Sequence, residues 1–288
     1  MKPAWLKRPF SQTGILPMKA DLRRLKLHSV CEEARCPNLP ECFSKKVATV
    51  MIMGEICTRS CKFCAVTHGR PAALDPAEPT NVAHWVYESQ LRHVVITSVD
   101  RDDLPDLGAN HFFQTVREVK KTNPQTTVEV LTPDFQGRGG LIGRVCSAGP
   151  AIYNHNLETV ERLTPHVRSA SKYRRSLGVI AWVKKNHPNQ ITKSGLMLGL
   201  GETKGEVIQT MREMIESGCD LLTLGQYLRP TPEHLPVAEY IHPSRFDEYR
   251  ETGLSLGFKG VFSGPFVRSS YLADEFLHNT QLFPAAVF

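Results

Sequence analysis

Residues 48–64 read ATVMIMGEICTRSCKFC. Ala48–Gly54 is an uncharged run rich in residues that favour extended chain, and a glycine closes it. That is the pattern of a strand buried on both faces. Directly behind it come Cys57, Cys61 and Cys64, spaced C-x3-C-x2-C. A buried strand that ends in reactive side chains suits an α/β chain with its chemistry at the carboxyl ends of its strands.

Working outward, five more stretches carry the same signal: His93–Val99, Thr127–Thr132, Ala151–His155, Ile191–Gly199 and Asp220–Gln226. Helical periodicity fills the gaps between them. Val82, Trp85 and Val86 share one face, as do Phe112, Val116 and Val119, and Tyr173, Leu177 and Ile180. From 203 to 218 the pattern is sharpest. Thr203 and Glu206 form a capping box, Val207, Ile208, Met211, Met214 and Ile215 make a buried stripe, and Gly218 closes the helix.

Strands alternating with helices imply parallel pairing through right-handed crossovers. Polar residues follow nearly every strand: Cys57, Ser98 and Asp100, Asp134, Asn154 and Asn156, Glu202, then Gln226. In a barrel those ends converge on one mouth, whereas in an open sheet they would be strung along a crevice. The expectation is an α/β fold, a partial TIM-like (β/α)6 barrel over residues 48–228. Residues 1–47 and 229–288 are read as N- and C-terminal extensions that cover the mouth.

With 288 residues, 41% hydrophobic and 22% charged, the chain can bury a substantial core, and collagen-like, coiled-coil and low-complexity classes are excluded. No charge-free apolar run approaches the length of a membrane span. The net charge of +6 permits an acidic partner without demanding nucleic acid. The opening residues lack the apolar segment of a signal peptide, and Pro3, Pro9 and Pro17 interrupt any presequence helix. A cytoplasmic chain with reduced thiols is expected, so its eight cysteines point to metal or catalysis ahead of disulfides.

Six of those cysteines form two triplets. Cys31, Cys36 and Cys42, in CEEARCPNLPEC, precede the first strand, and Cys57, Cys61 and Cys64 follow it. Three thiolates on a short loop can wrap one side of an iron–sulfur cube and leave one iron without a cysteine. A zinc site completed by His68 is the competing reading, although neither triplet has the paired C-x2-C ligands zinc favours. Cys146 and Cys219 stand alone and read as buried small apolar residues.

C-x3-C-x2-C after the first strand resembles the radical SAM superfamily. The resemblance implies that the open iron chelates S-adenosylmethionine and that cleavage of its sulfonium yields a 5′-deoxyadenosyl radical. The chemical need is clear, because an unactivated alkyl C–H has no useful acidity for a side-chain base. CEEARCPNLPEC together with GEICTRSCKFC is similar to the lipoyl synthase family. Further agreement comes from RDDLPDLGA (101–109), VEVLTPDF (128–135), NHNLETV (154–160), TKSGLMLGLGET (192–203), GQYLRPTPEHLPV (225–237) and GPFVRSSY (264–271). The likeness runs from KPAWLK at residue 2 onward, so no removable leader is expected.

The resemblance implies two 4Fe–4S clusters and S-adenosylmethionine. Cys57, Cys61 and Cys64 hold the radical-generating cluster, and Cys31, Cys36, Cys42 and Ser270 hold an auxiliary one that is consumed as sulfur donor. Read without the resemblance, Ser269 and Ser270 are a helix N-cap before YLADEFL. An alkoxide is a poorer match than thiolate to iron in a sulfide cage, so the iron it holds should be the easiest to lose. The implied reaction places sulfur at C6 and C8 of an octanoyl-lysine, at the expense of two S-adenosylmethionine molecules. Its partners are octanoylated lipoyl carrier domains of the H-protein or 2-oxoacid dehydrogenase type, and a low-potential donor such as ferredoxin or flavodoxin. Neither nucleic acid nor membrane is called for.

By position, Thr97, Ser98 and Asp100 should lie near the methionine amino group, and Asn154 and Asn156 near the ribose or carboxylate. Each could instead serve a cap or turn. Arg268 is expected to place the substrate or the serine loop. The GLGE around Glu202 is rejected as a phosphate loop, since no glycine fingerprint or lysine follows. Two departures from the family pattern stand out: Leu107 where glycine is common and Leu272 where histidine is. Two other functions stay open, sulfur insertion into an RNA or small molecule and a zinc-stapled binding module.

Overall fold

The computed structural model describes residues 2–7, 15–44 and 49–270. Leu272 and the YLADEFL segment from Tyr271 lie outside them. The described chain divides into two compact units, one of residues 15–44, 49–59, 66–153 and 270, the other of residues 2–7, 60–65 and 154–269. The boundary between these units passes through the Cys57–Cys64 loop and again at Asn154.

In the first unit the strands are β1 (His28–Ser29), β2 (Thr49–Ile52), β3 (His93–Ser98), β4 (Thr127–Leu131) and β5 (Ile152–Asn154). Its helices are α1 (Ile15–Arg24), α2 (Val30–Glu33), α3 (Leu39–Ser44), α4 (Glu78–Glu88), α5 (Ala109–Thr122) and α6 (Gly139–Cys146). β2 runs parallel to β3 with Thr49 opposite Val95, and β3 parallel to β4 with His93 opposite Thr127. Ala151, just before β5, donates its N–H to Val128 O at 2.7 Å. Each residue of β2 is buried, as a strand covered on both faces should be.

The helical stripes read from sequence all face inward. Val82, Trp85 and Val86 on α4 and Phe112, Val116 and Val119 on α5 are fully buried, and Phe112 meets Phe135 edge-on at 6.2 Å. Lys120 and Lys121 occupy the last turn of α5, where cations complement the helix dipole. Cys146 and Cys219, expected to be plain core residues, are buried.

The second unit holds α7 (Thr164–Val167), α8 (Tyr173–Asn186), β6 (Ile191–Leu198), α9 (Lys204–Glu216), β7 (Leu221–Gln226), α10 (Pro243–Leu256) and β8 (Gly260–Gly264). β6 is parallel to β7, and β7 to β8. Its core packs Leu177 and Ile180 of α8 and Val207, Met211 and Met214 of α9 against Leu196, Leu222 and Leu224, closed by Phe246 and Tyr249 of α10. The capping box is complete: Thr203 Oγ1 accepts from Glu206 N, and the Glu206 carboxylate accepts from Thr203 N at 2.8 Å. Gly218 ends that helix at φ +83°.

Two strands escaped the sequence reading. β1 is only two residues long, too short for any alternation to register, and pairs antiparallel with β2. β8 is glycine-bounded and short, and lies within the segment read as a covering extension. That segment in fact supplies a further helix and parallel strand. Among the described residues no helix is long and apolar enough to cross a membrane.

Candidate active site

Cys57 follows β2 by five residues, and backbone bonds fix its place. Its N–H donates to Thr67 O at 2.8 Å, and Gly69 N donates to Cys57 O at 2.9 Å. Two backbone N–H groups aim at its sulfur, Asp100 N at 3.3 Å and Arg59 N at 3.4 Å, while the thiol itself faces Asp100 Oδ2 at 3.8 Å. Thr58 ties the same loop to the end of β3 through Asp100 O at 2.9 Å.

Arg59 anchors this corner. Its guanidinium grips Asp102 in a fork, Nε to Oδ2 at 2.6 Å and Nη2 to Oδ1 at 2.8 Å, and reaches Asp134 at 2.9 Å and Asp100 at 3.3 Å. Asp134 is fully buried at the C-terminal side of β4. Burial works against the charge on Arg59, yet the Asp102 and Asp134 hydrogen bonds and the Asp100 charge raise it above its ordinary value. The same fork holds the Asp102 carboxyl below its ordinary value.

A second buried pair sits under the exit from β2. Glu78 Oε2 accepts from Met53 N at 2.8 Å and lies 2.5 Å from His111 Nε2. Met53 holds a left-handed φ of +70°, an uncommon state for a residue with a side chain. Gly108 keeps room for it, as a Cβ there would meet Met53 Sδ at 2.3 Å.

The other triplet lies in the same unit. Ser29 caps α2, accepting from Glu32 N at 3.3 Å, and places Cys31 in its first turn. Cys36 N donates to Cys31 O at 3.0 Å, and Cys42 N on α3 to Asn38 O at 2.9 Å. Cys31 and Cys42 are buried and Cys36 half-buried. Burial pushes the Cys31 thiol up to about 12, and the Cys36 charge adds to the rise, with hydrogen bonds from Thr49 of β2 opposing it. Close by, His28 Nδ1 stands 3.9 Å from both Glu33 Oε1 and Glu55 Oε2.

In the second unit, Cys61 and Cys64 form one turn, Cys64 N donating to Cys61 O at 3.0 Å. Lys62 N bonds Val167 O of α7, and His234 Nε2 meets Cys64 O at 3.0 Å. Asn156 Nδ2 donates to Glu158 Oε1 at 3.0 Å and to Ser269 Oγ at 2.5 Å. The guanidinium of Arg268 donates to Val267 O at 2.6 Å, within its own turn. Ser270 is half-buried in that turn.

A family model described as Radical SAM superfamily matches residues 51–214. A lipoyl synthase of Thermus thermophilus is 54% identical over 285 residues, spanning 97% of this chain and 88% of its own. One from Bacteroides fragilis is 52% identical over 278 residues, 95% of each chain. The chain belongs to the lipoyl synthase family. Among solved structures, methylornithine synthase aligns at a TM-score of 0.51 and 14% identity, over 81% of this chain and 64% of that one. SuiB of Streptococcus suis aligns at 0.57 and 10%, over 95% and 60%. These likenesses show the fold, an α/β type of the kind that the strand–helix alternation implied.

In this lipoyl synthase family member the surroundings of Cys57, Cys31 and Cys36 suit thiolate ligands of iron–sulfur clusters. Cys57 receives two N–H donors of the kind that stabilise a thiolate, and Cys31 and Cys36 are close enough for their charges to oppose each other. A metal replaces the proton that such a buried thiol otherwise keeps. Ser98 Oγ and Asn156 Oδ1 are buried without a hydrogen-bond partner, and a bound ligand would satisfy atoms of this kind.

Of the residues expected to contact S-adenosylmethionine, Asp100 lies beside Cys57, Asn154 is fully buried on β5, and Thr97 spends its hydroxyl on Leu131 O at 2.9 Å. Glu202 accepts from Leu200 N at 2.9 Å and also from Gly199 N, so the first two amides of GLGE are committed to their own turn. Gln226 donates to Leu198 O, Tyr227 O and Glu239 O and accepts from Ile241 N. Sequence reasoning passed over Arg59, Glu78, His111 and His234. A signal existed for His234, which lies within GQYLRPTPEHLPV.

Proposed function

We propose that this chain inserts two sulfur atoms, at C6 and C8, into an octanoyl group carried on a lysine of a lipoyl carrier domain. The cofactors are two 4Fe–4S clusters and S-adenosylmethionine, which together supply a carbon-centred radical able to take hydrogen from an unactivated C–H. Cys57, Cys61 and Cys64 hold the radical-generating cluster, and Cys31, Cys36, Cys42 and Ser270 the auxiliary cluster, whose sulfides are substrate. What carries the reading is the second set of thiols: buried Cys31 and half-buried Cys36, each within reach of the other's charge, in a chain that already has another cysteine triplet.

Each protein group has a definite task in this reading. Asp100 N and Arg59 N steady the Cys57 thiolate, and the Arg59–Asp102–Asp134 contacts hold those two amides in place. Ser98, Asp100 and Asn154 bind S-adenosylmethionine. His234 fixes the Cys61–Cys64 turn from its carbonyl side. Arg268 braces the serine turn from within, so that Ser270 presents its oxygen to one auxiliary iron.

The chain works in the cytoplasm, takes its electron from a low-potential protein donor, and uses its net positive charge to steer an acidic carrier domain. The test is anaerobic turnover on an octanoylated carrier followed by intact mass. A gain of two sulfurs per carrier is expected. Release of 5′-deoxyadenosine with no sulfur gained would point instead to another substrate, such as an RNA or a small molecule.

A further inference from the structure

The NHNLETV stretch and the serine turn are more than a hundred residues apart in sequence, yet Asn156 and Ser269 touch. Asn156 is 5% exposed and sits just beyond β5. Both of its amide hydrogens are spent within the protein, one on Glu158 Oε1 and one on Ser269 Oγ. Its backbone is held as well, with Arg168 Nη1 donating to Asn156 O at 2.9 Å and Leu157 O at 3.2 Å. Behind it stands Gly195 of β6, where a Cβ would come within 3.0 Å of Asn156 Oδ1. An amide locked on so many sides is a fixed point, suited to holding something else still.

What it holds is the turn that presents Ser270. The turn has a further seat on the same unit. Gly225 of β7 lets Val267 approach so closely that a Cβ at 225 would lie 2.0 Å from Val267 O. Arg268 donates to the carbonyls of Pro265 and Val267 within the same turn. Asn156 anchors the Ser269 side chain directly, through its Nδ2–Oγ hydrogen bond.

We infer that Asn156 is a positioning residue for the serine ligand of the auxiliary cluster: by holding Ser269 it sets Ser270 toward its iron. This goes beyond the reading of Ser270 as a ligand and rests on it. It also gives the two Asn156 amide hydrogens a task other than the S-adenosylmethionine contact expected by position, a contact that remains open to Oδ1 alone. A weak alkoxide–iron bond is sensitive to aim, and one hydrogen bond at the neighbouring residue is enough to alter how often it forms.

The experiment follows iron, not turnover. Wild type, Asn156→Ala, Ser269→Ala, Ser269→Thr and Ser270→Ala are loaded with both clusters anaerobically and kept with saturating S-adenosylmethionine and no reductant. A ferrous chelator is then added. Ser270→Ala should release one iron per chain quickly. Asn156→Ala and Ser269→Ala should release the same single iron roughly five- to ten-fold faster than wild type, the worth of one hydrogen bond. Ser269→Thr keeps the hydroxyl and should stay near wild type. A fast iron in Ser270→Ala with wild-type rates in Asn156→Ala and Ser269→Ala would overturn the inference and leave the ligand reading standing. A wild-type rate in Ser270→Ala would remove the ligand reading, and this inference with it. Weaker S-adenosylmethionine binding in Asn156→Ala, with iron release unchanged, would return Asn156 to the cofactor site.

Discussion

Arg59 is two residues past the first cluster cysteine, and its side chain is 5% exposed among three carboxylates. Removing a charge from such a setting takes the guanidinium away from the wholly buried Asp134, and breaking a buried ion pair costs about 3 kcal/mol or more. Arg59→Met should lower the urea stability of the metal-free chain by that order, measured by tryptophan fluorescence. After reconstitution it should lose iron from the radical-generating cluster first. Arg59→Lys should recover only part, because an ammonium cannot grip Asp102 in a fork while reaching Asp134. The cysteines were legible as single residues because their spacing is itself the chemical signal. Arg59 was not, since the three aspartates it gathers lie 41–75 positions further along the chain and no local pattern links them. Thr97, read as a ligand contact from its place at the end of β3, donates its hydroxyl to the neighbouring strand at Leu131 O. Leu107, the departure from glycine, adopts φ +52° and is buried. Its packing offsets the strain that a glycine would avoid.

Among the elements, α9 was the most fully legible, because its cap, stripe and terminator are all local. Thr203→Ala should cost about 1 kcal/mol, read from the shift in the denaturation midpoint. The Arg162 hydrogen bonds, helped by the cap, hold the Glu206 carboxyl down at about 2. A depressed acid stabilises the fold above its ordinary value and loses that contribution as pH falls toward the folded value. The melting-temperature gap between wild type and Glu206→Gln should therefore be full at pH 7 and narrow as pH drops below about 4.5 toward 2. Gly225 makes a sharper prediction. Alanine there drives a Cβ into Val267 O, so Gly225→Ala should displace the serine turn. Lipoyl product, followed by intact mass, should fall more than ten-fold while 5′-deoxyadenosine release continues. β1 and β8 were illegible for the opposite reason to α9. A two-residue strand and a glycine-bounded strand of five residues are specified by what they pair with, which a single sequence does not display.

For the whole molecule, family membership and fold class follow from motifs that run nearly end to end, and the relatives at over 50% identity agree with them. The contact-defined units were not legible in the sequence. The boundary cuts the cysteine loop itself, separating Cys57 from Cys61 and Cys64, where composition shows no shift. With a net charge of +6, capture of an acidic carrier should weaken as salt screens the attraction. The KM for such a carrier should rise several-fold between low and physiological salt while kcat changes little. Anaerobic reconstitution should give about eight irons and eight sulfides per chain, the content of two cubes. The account stands on a division of labour between the two cysteine sets, and one comparison tests it most directly. Cys31→Ala and Cys57→Ala are reconstituted side by side and assayed for 5′-deoxyadenosine release and for sulfur gained by the carrier. Cys31→Ala should keep one cluster and still release 5′-deoxyadenosine with no sulfur gained, while Cys57→Ala does neither. Equal loss of 5′-deoxyadenosine release in both variants would contradict the account.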